Sequence, residues 1–244
     1  MTYVIVGAST GLGRALATRF AAAGHDLIIV SSDARDIDAT AADLRIRYGR
    51  RVIPVAADIT ASGPYLASLH RAVAALGELD GLLLPVGAVR DDDEGGLDAA
   101  SAEWIIRVNF SAVAATVTAL MPYLQTRGRG TIVGFGSIAA ARGRSTNIIY
   151  AAAKRGLASF FESLRHRCAG TGVVVQFYVL GYLDTALAYG RPTPVRPASP
   201  ARLSEHVLRR LGRDVGVVYY PRRWRWLTAV LGLLPWALFK RLRF

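Results

Sequence analysis

The chain has 244 residues, 52% hydrophobic and 20% charged, an ordinary globular balance with material for one large core. Its single cysteine, Cys168, excludes an internal disulfide and, with no His/Cys cluster, gives no support to a zinc site. The net charge of +12 is uneven: residues 191–244 hold 12 Arg/Lys and two acids (+10), leaving the first 190 residues close to neutral at +2.

The N-terminus opens on a β-branched run, Thr2 to Val6, without the basic, apolar and small-residue order of a signal peptide, so a reducing, cytoplasmic setting is expected. Gly7-Ala8-Ser9-Thr10-Gly11-Leu12-Gly13 follows, then apolar positions at helical spacing (Leu12, Ala15, Leu16, Phe20) up to Gly24. Strand, glycine turn and helix together suit a pyrophosphate. The glycines permit a tight turn and close backbone approach, and the helix N-terminus offers unpaired N–H groups. The spacing is G-x-x-x-G-x-G, not the general G-x-G-x-x-G.

Alternation continues along the chain. Strands are predicted at Asp26–Ser31, Val52–Ala57, Leu82–Val86, Thr131–Phe135 and Val173–Leu180. Helices are predicted at Arg35–Tyr48 and Pro64–Leu76, in two stretches split around Asn109, and over Tyr150–Cys168. The acidic loop Arg90 to Gly96 reads as solvated and without chemistry. Strands apolar on both faces and alternating with helices predict an α/β fold, a single doubly wound parallel sheet covered on both sides. Its ligand should lie across the carboxyl ends of the strands, where Asp58, Gly87, Ser137 and Gly181 fall. The chain divides into a dinucleotide-binding and catalytic domain, 1–220, and a basic, apolar tail, 221–244.

Tyr150 and Lys154 are four apart on a predicted helix and so share a face. An ammonium a few ångströms from a phenol favours the phenolate, so Lys154 is expected to pull the Tyr150 pKa down from about 10 and fit it for proton transfer near neutral pH.

Together, the glycine loop, Asp58, Asn109 in Val108-Asn109-Phe110 and the Ser137–Tyr150–Lys154 spacing resemble the short-chain dehydrogenase/reductase family, over roughly Thr2 to Thr185. The resemblance implies an enzyme with a nicotinamide cofactor, in which Tyr150 is the acid/base. Lys154 lowers the Tyr150 pKa and binds the nicotinamide ribose, Ser137 orients a carbonyl, and Asn109 helps hold a water and proton relay. It also implies cofactor contacts from Gly7, Ser9, Thr10, Gly11, Leu12, Gly13, Arg14, Ser31, Ser32, Asp58, Ile59, Gly87, Tyr150, Lys154, Gly181 and Thr185. No metal is implied. Two departures stand out: Leu84-Pro85-Val86-Gly87 replaces the family's Asn-Asn-Ala-Gly, and Leu180-Gly181 its Pro-Gly. The end of the second strand carries Ser31 and Ser32 where an acid would bond the ribose 2′-hydroxyl, and Arg14 is placed to face a 2′-phosphate. NADP(H) is therefore expected over NAD.

The tail stops resembling the family near Tyr219. Arg222-Arg223-Trp224-Arg225-Trp226 leads into 13 uncharged residues, Leu227 to Phe239, broken by Pro235 and closed by Lys240-Arg241-Leu242-Arg243-Phe244. That run falls short of the ~20 residues needed to cross a bilayer. Basic residues and tryptophans bordering an apolar middle suit a helix lying in a membrane interface. A helix packed on a second subunit is the other reading, since family members form homodimers or homotetramers; nucleic acid is not expected. Because the tail follows the sheet and Tyr150, activity on a small soluble ketone is expected to survive its removal. The substrate is expected to be a carbonyl compound, small or lipid-linked, of the polyprenyl-phosphate keto-sugar kind. Tyr182–Pro200 would form its loop, and Arg191 and Arg196 would meet a phosphate. A catalytically silent nucleotide sensor or scaffold on the same fold is the alternative function.

Overall fold

The computed structural model describes residues 1–90, 93, 96–185 and 195–242. They form one seven-stranded sheet in the order β3-β2-β1-β4-β5-β6-β7, with every pairing parallel. The strands are β1 Thr2–Val6, β2 Asp26–Ser31, β3 Val52–Ala56, β4 Gly81–Leu84, β5 Gly130–Ser137, β6 Val173–Leu180 and β7 Val217–Tyr220. Strands β1, β2 and β4 are buried on both faces almost throughout, as their unbroken apolar runs require.

Parallel neighbours need crossovers, and these are helical. On one face lie α1 Gly11–Ala22, α2 Ala34–Tyr48 and α7 Pro200–Arg209, packed through residues such as Leu16, Phe20, Ile37 and Leu203. On the other lie α3 Ser62–Leu76, α5 Ala112–Arg127 and α6 Ile148–Cys168, through Leu69, Leu120, Leu157 and Phe161. A π-helical turn, Arg107–Ser111, joins α4 Ala99–Ile106 to α5. This α4–α5 stretch of 29 residues is long and apolar enough to cross a membrane, but half of its most apolar window is buried and α5 packs on α3, β4 and β5.

The predicted strands fall where expected; β7 and α7 are additions from the segment the sequence left unassigned. Buried Gln176 of β6 ties α7 in place, its Nε2 donating to the carbonyls of Arg210 and Arg213. Strand order reverses between β1 and β4, which opens a crevice at their carboxyl ends. The tail is helical too, as α8 Trp224–Leu233 and α9 Trp236–Phe239. It folds back onto the domain: Trp224, Thr228 and Phe239 are buried, and α8 packs on the turn that follows β5.

Candidate active site

A cavity of about 580 Å³ lies across those carboxyl ends, within the range of small-molecule and cofactor sites. At one end the loop Gly7–Gly13 carries β1 into α1. A Cβ at Gly13 would run into the Gly7 carbonyl, so no other residue fits this approach of helix to strand. The first turn of α1 has no side-chain cap and no acid, and its N–H groups lie at the cavity. That is an anion site made from backbone alone. The hydroxyls of Ser9 and Ser31 bond across the loop at 2.8 Å. Asp58 bonds the backbone and hydroxyl of Thr60, at 2.9 and 2.8 Å, which turns the chain after β3.

At the other end Ser137 closes β5 and Tyr150 sits in the first turn of α6. The Ser137 hydroxyl lies beside the Tyr150 phenol, whose pKa it lowers, and accepts from Ala139 N at 3.1 Å. Lys154, 2% exposed, sends its Nζ to the carbonyls of Val86 at 2.6 Å and Phe135 at 3.3 Å. Desolvation lowers its pKa to about 7. Nζ is 5.8 Å from the Tyr150 ring centroid.

The expected electrostatics are therefore corrected. Burial raises the Tyr150 pKa above its ordinary value, and the influences that lower it are the Ser137 hydrogen bond and the charge of Arg144. Lys154 is not among those influences; its Nζ is bound to the carbonyls of Val86 and Phe135.

Across residues 1–193 the sequence matches the short chain dehydrogenase family. It belongs to the short-chain dehydrogenases. An uncharacterised oxidoreductase of Mycobacterium tuberculosis is 31% identical over 243 residues, covering 98% of this chain and 96% of its own. A hydroxysteroid 11-beta-dehydrogenase 1-like protein of Xenopus tropicalis is 30% identical over 188 residues, covering 76% of this chain and 65% of its own. Among solved structures, a short-chain dehydrogenase from Sphingobium yanoikuyae in complex with NADPH has a TM-score of 0.83 at 27% identity, covering 99% and 96% of the two chains. The protein is thus an oxidoreductase of the alcohol–carbonyl class.

The wall of this short-chain dehydrogenase's cavity includes Gly7, Ser9, Thr10, Gly11, Leu12, Gly13, Ser31, Ser32, Asp58, Ile59, Gly87, Ser137, Tyr150, Lys154, Gly181 and Thr185. It does not include Arg14, which is exposed on α1. Asn109 also stands behind the wall, fully buried. Its side chain accepts from Ala88 N at 3.1 Å and donates to Ala88 O at 2.7 Å and Ile105 O at 3.0 Å. The amide therefore clasps the loop after β4, whose usual bracing side chains the sequence lacks. Arg196 is exposed and off the wall, and Arg191 lies outside the described residues. The segment from Tyr182 is pinned at its base, where Asp184 N bonds Ala198 O at 3.0 Å and Ala198 N bonds Tyr182 O at 2.9 Å.

Sequence reasoning missed Arg144 and Asn147, which line the cavity beside Tyr150. Their place between Ser137 and the Tyr150 helix was the available signal. It also misread Asp93, which is 1% exposed. The Asp93 carboxylate accepts from Ile149 N and Tyr150 N, each at 2.9 Å, and its carbonyl accepts from Ile148 N at 3.1 Å. Asn147 makes no cap of its own, so Asp93 caps α6 from 55 to 57 residues away. Asp93→Ala should cost about 1–3 kcal/mol in urea unfolding and roughly tenfold in turnover, the cost of a lost cap over buried N–H groups and of a displaced Tyr150. Unchanged stability would rule out this role.

Proposed function

We propose that the protein is an NADP(H)-dependent reductase or dehydrogenase that interconverts a ketone and a secondary alcohol, with an apolar or lipid-linked substrate. The observation that carries the chemistry is the Ser137–Tyr150 hydroxyl pair at the cavity wall. Two hydroxyls converging on one point hold a carbonyl oxygen and stabilise the charge that develops there. Tyr150 delivers the proton, and its raised pKa keeps it a donor through the neutral range. A nicotinamide cofactor supplies the hydride when bound. The glycine loop and the α1 N-terminus fit its pyrophosphate, and Lys154 and Gly87 border its reacting end.

Three observations support NADP(H) over NAD. The β2 end presents Ser31 and Ser32 to the cavity and no acid. Asp33 is committed as the N-cap of α2, accepting from Asp36 N at 2.9 Å. The Sphingobium relative is in complex with NADPH. With Arg14 off the wall, the serine hydroxyls and backbone N–H groups carry the 2′-phosphate in this reading. Ser31→Asp should shift preference toward NADH by about tenfold or more, because a carboxylate repels the phosphate and accepts from a ribose hydroxyl. Fluorescence titration of both cofactors tests this; a parent that binds NADH more tightly refutes the assignment.

Apolar-substrate and membrane readings rest on the tail. Of 14 exposed large hydrophobic residues among the described ones, seven lie between Trp226 and Leu242. Arg222, Arg223, Arg225, Lys240 and Arg241 border them and are exposed. Such a face suits the anionic inner surface of a membrane, which a lipid-linked ketone would share. The name of the Xenopus relative also points to an apolar substrate. A homodimer or homotetramer completes the proposal. The deciding experiment is a ketone and alcohol screen followed by NADPH absorbance, with no turnover of any compound counting against the enzyme reading.

A further inference from the structure

One side chain joins the catalytic serine to the C-terminal helices. Ser137 runs directly into a 3-10 turn, Ile138–Ala141, which ends on Arg142. The Arg142 guanidinium donates to the Leu231 carbonyl at 2.6 Å and to the Leu234 carbonyl, acceptors at the C-terminal end of α8. Its cation lies 3.9 Å from the centroid of Phe239, which is buried. Only arginine combines a planar donor fork with a face that stacks on a ring, and the negative end of a helix favours its charge. At the other end of α8, Trp224 covers Gly181, where a Cβ would overlap the indole, and meets Tyr182 edge-on at 5.8 Å. Gly181 and Tyr182 are cavity wall. Helix α8 therefore touches the site twice, beside the ends of β5 and β6.

We propose that Arg142 is a positioning residue for the reaction, holding the Ser137 turn in register by anchoring it to α8 and α9. The tail is then a wall of the active site as well as an exposed surface. This rests on the reading of Ser137 and Tyr150 as the pair that holds the carbonyl.

The test measures turnover of a ketone taken from the screen, NADPH affinity and the urea midpoint for Arg142→Ala, Arg142→Lys, Ser137→Ala and the Arg142→Ala/Ser137→Ala double variant. Arg142→Ala should lower kcat by about tenfold or more, the scale of a sub-ångström to 1 Å misplacement, with NADPH affinity within about twofold. Lysine keeps the charge but not the fork, so Arg142→Lys should restore only part of the rate. Because the arginine acts through the serine, the double variant should be no slower than Ser137→Ala alone. Parental kcat in Arg142→Ala, or losses that multiply in the double variant, would overturn the proposal. Parental kcat in Ser137→Ala would instead overturn the reading of the serine on which it stands. If Arg142→Ala does not fold, Phe239→Leu removes the ring while keeping apolar volume. It should lower kcat about threefold or more, with the same non-additivity against Ser137→Ala, and parental kcat there also overturns the proposal.

Discussion

Tyr150→Phe is expected to lower turnover by on the order of 10² to 10⁴, the range of a general acid–base group. The substitution removes one oxygen and keeps the ring, so the first turn of α6 and the Asp93 cap over it should stand. Cofactor affinity should hardly change, because the glycine loop, the end of β2 and Lys154 hold their places without that hydroxyl. The same group predicts a pH profile. Burial holds the phenol above its ordinary value of about 10, with Ser137 and Arg144 offsetting part of the rise. Ketone reduction needs the protonated phenol, so the phenol itself imposes no change in rate between about pH 6 and about pH 9. Alcohol oxidation needs the phenolate and should climb through that interval. Arg144→Gln removes the cation that favours the phenolate, so the alcohol-oxidation limb should move to higher pH. Rates of Tyr150→Phe within about threefold of the parent would dispose of the mechanism. An oxidation limb unmoved in Arg144→Gln would leave the pKa account without its charge.

Most of the sheet and the centre of the site were legible because their signals are local. An unbroken apolar run such as Leu27–Val30, within Asp26–Ser31, reads as a strand buried on both faces. Gly7–Gly13 announces a tight turn into a helix. The spacing of Tyr150 and Lys154 puts both on one helical face wherever the rest of the chain goes. What Lys154 does there was not legible, because its ammonium is bound to carbonyls of Val86 and Phe135 that no spacing brings near it. Asp93 shows the same limit more sharply. A charged residue in an acidic, glycine-containing loop looks solvated until the fold sets it beneath the first turn of α6, 56 and 57 residues away in sequence. Asn109 was found by its motif, but its clasp on Ala88 belongs to the loop after β4, whose replaced side chains make that clasp more necessary. The tail was read as one apolar run. Its division into inward Trp224, Thr228 and Phe239 and outward Trp226, Val230, Leu233 and Trp236 depends on where β6 and the Ser137 turn stand.

That division changes what removing the tail should do. Deleting residues 222–244 takes away six basic residues and no acids. Each basic residue near an anionic surface contributes about 1 kcal/mol, and burial of the outward apolar face adds to that. The truncated protein should therefore stop sedimenting with anionic vesicles, while the full chain binds and partly releases in high salt. Activity on a soluble ketone should not survive intact, contrary to the expectation from chain order. Truncation uncovers Gly181 and strips Arg142 of the Leu231 and Leu234 carbonyls and the Phe239 ring. A loss of about tenfold or more is expected from the disturbed Ser137 turn. A second variant separates the two roles. Trp226, Val230, Leu233 and Trp236 are all exposed, at 71, 61, 85 and 67%. Changing all four to serine should abolish vesicle binding, with turnover of the soluble ketone within about twofold of the parent. Vesicle binding that persists in this variant would remove the membrane from the proposal. An oligomer that falls apart instead would make the same face a contact between subunits, and the lipid-linked substrate would lose its main support.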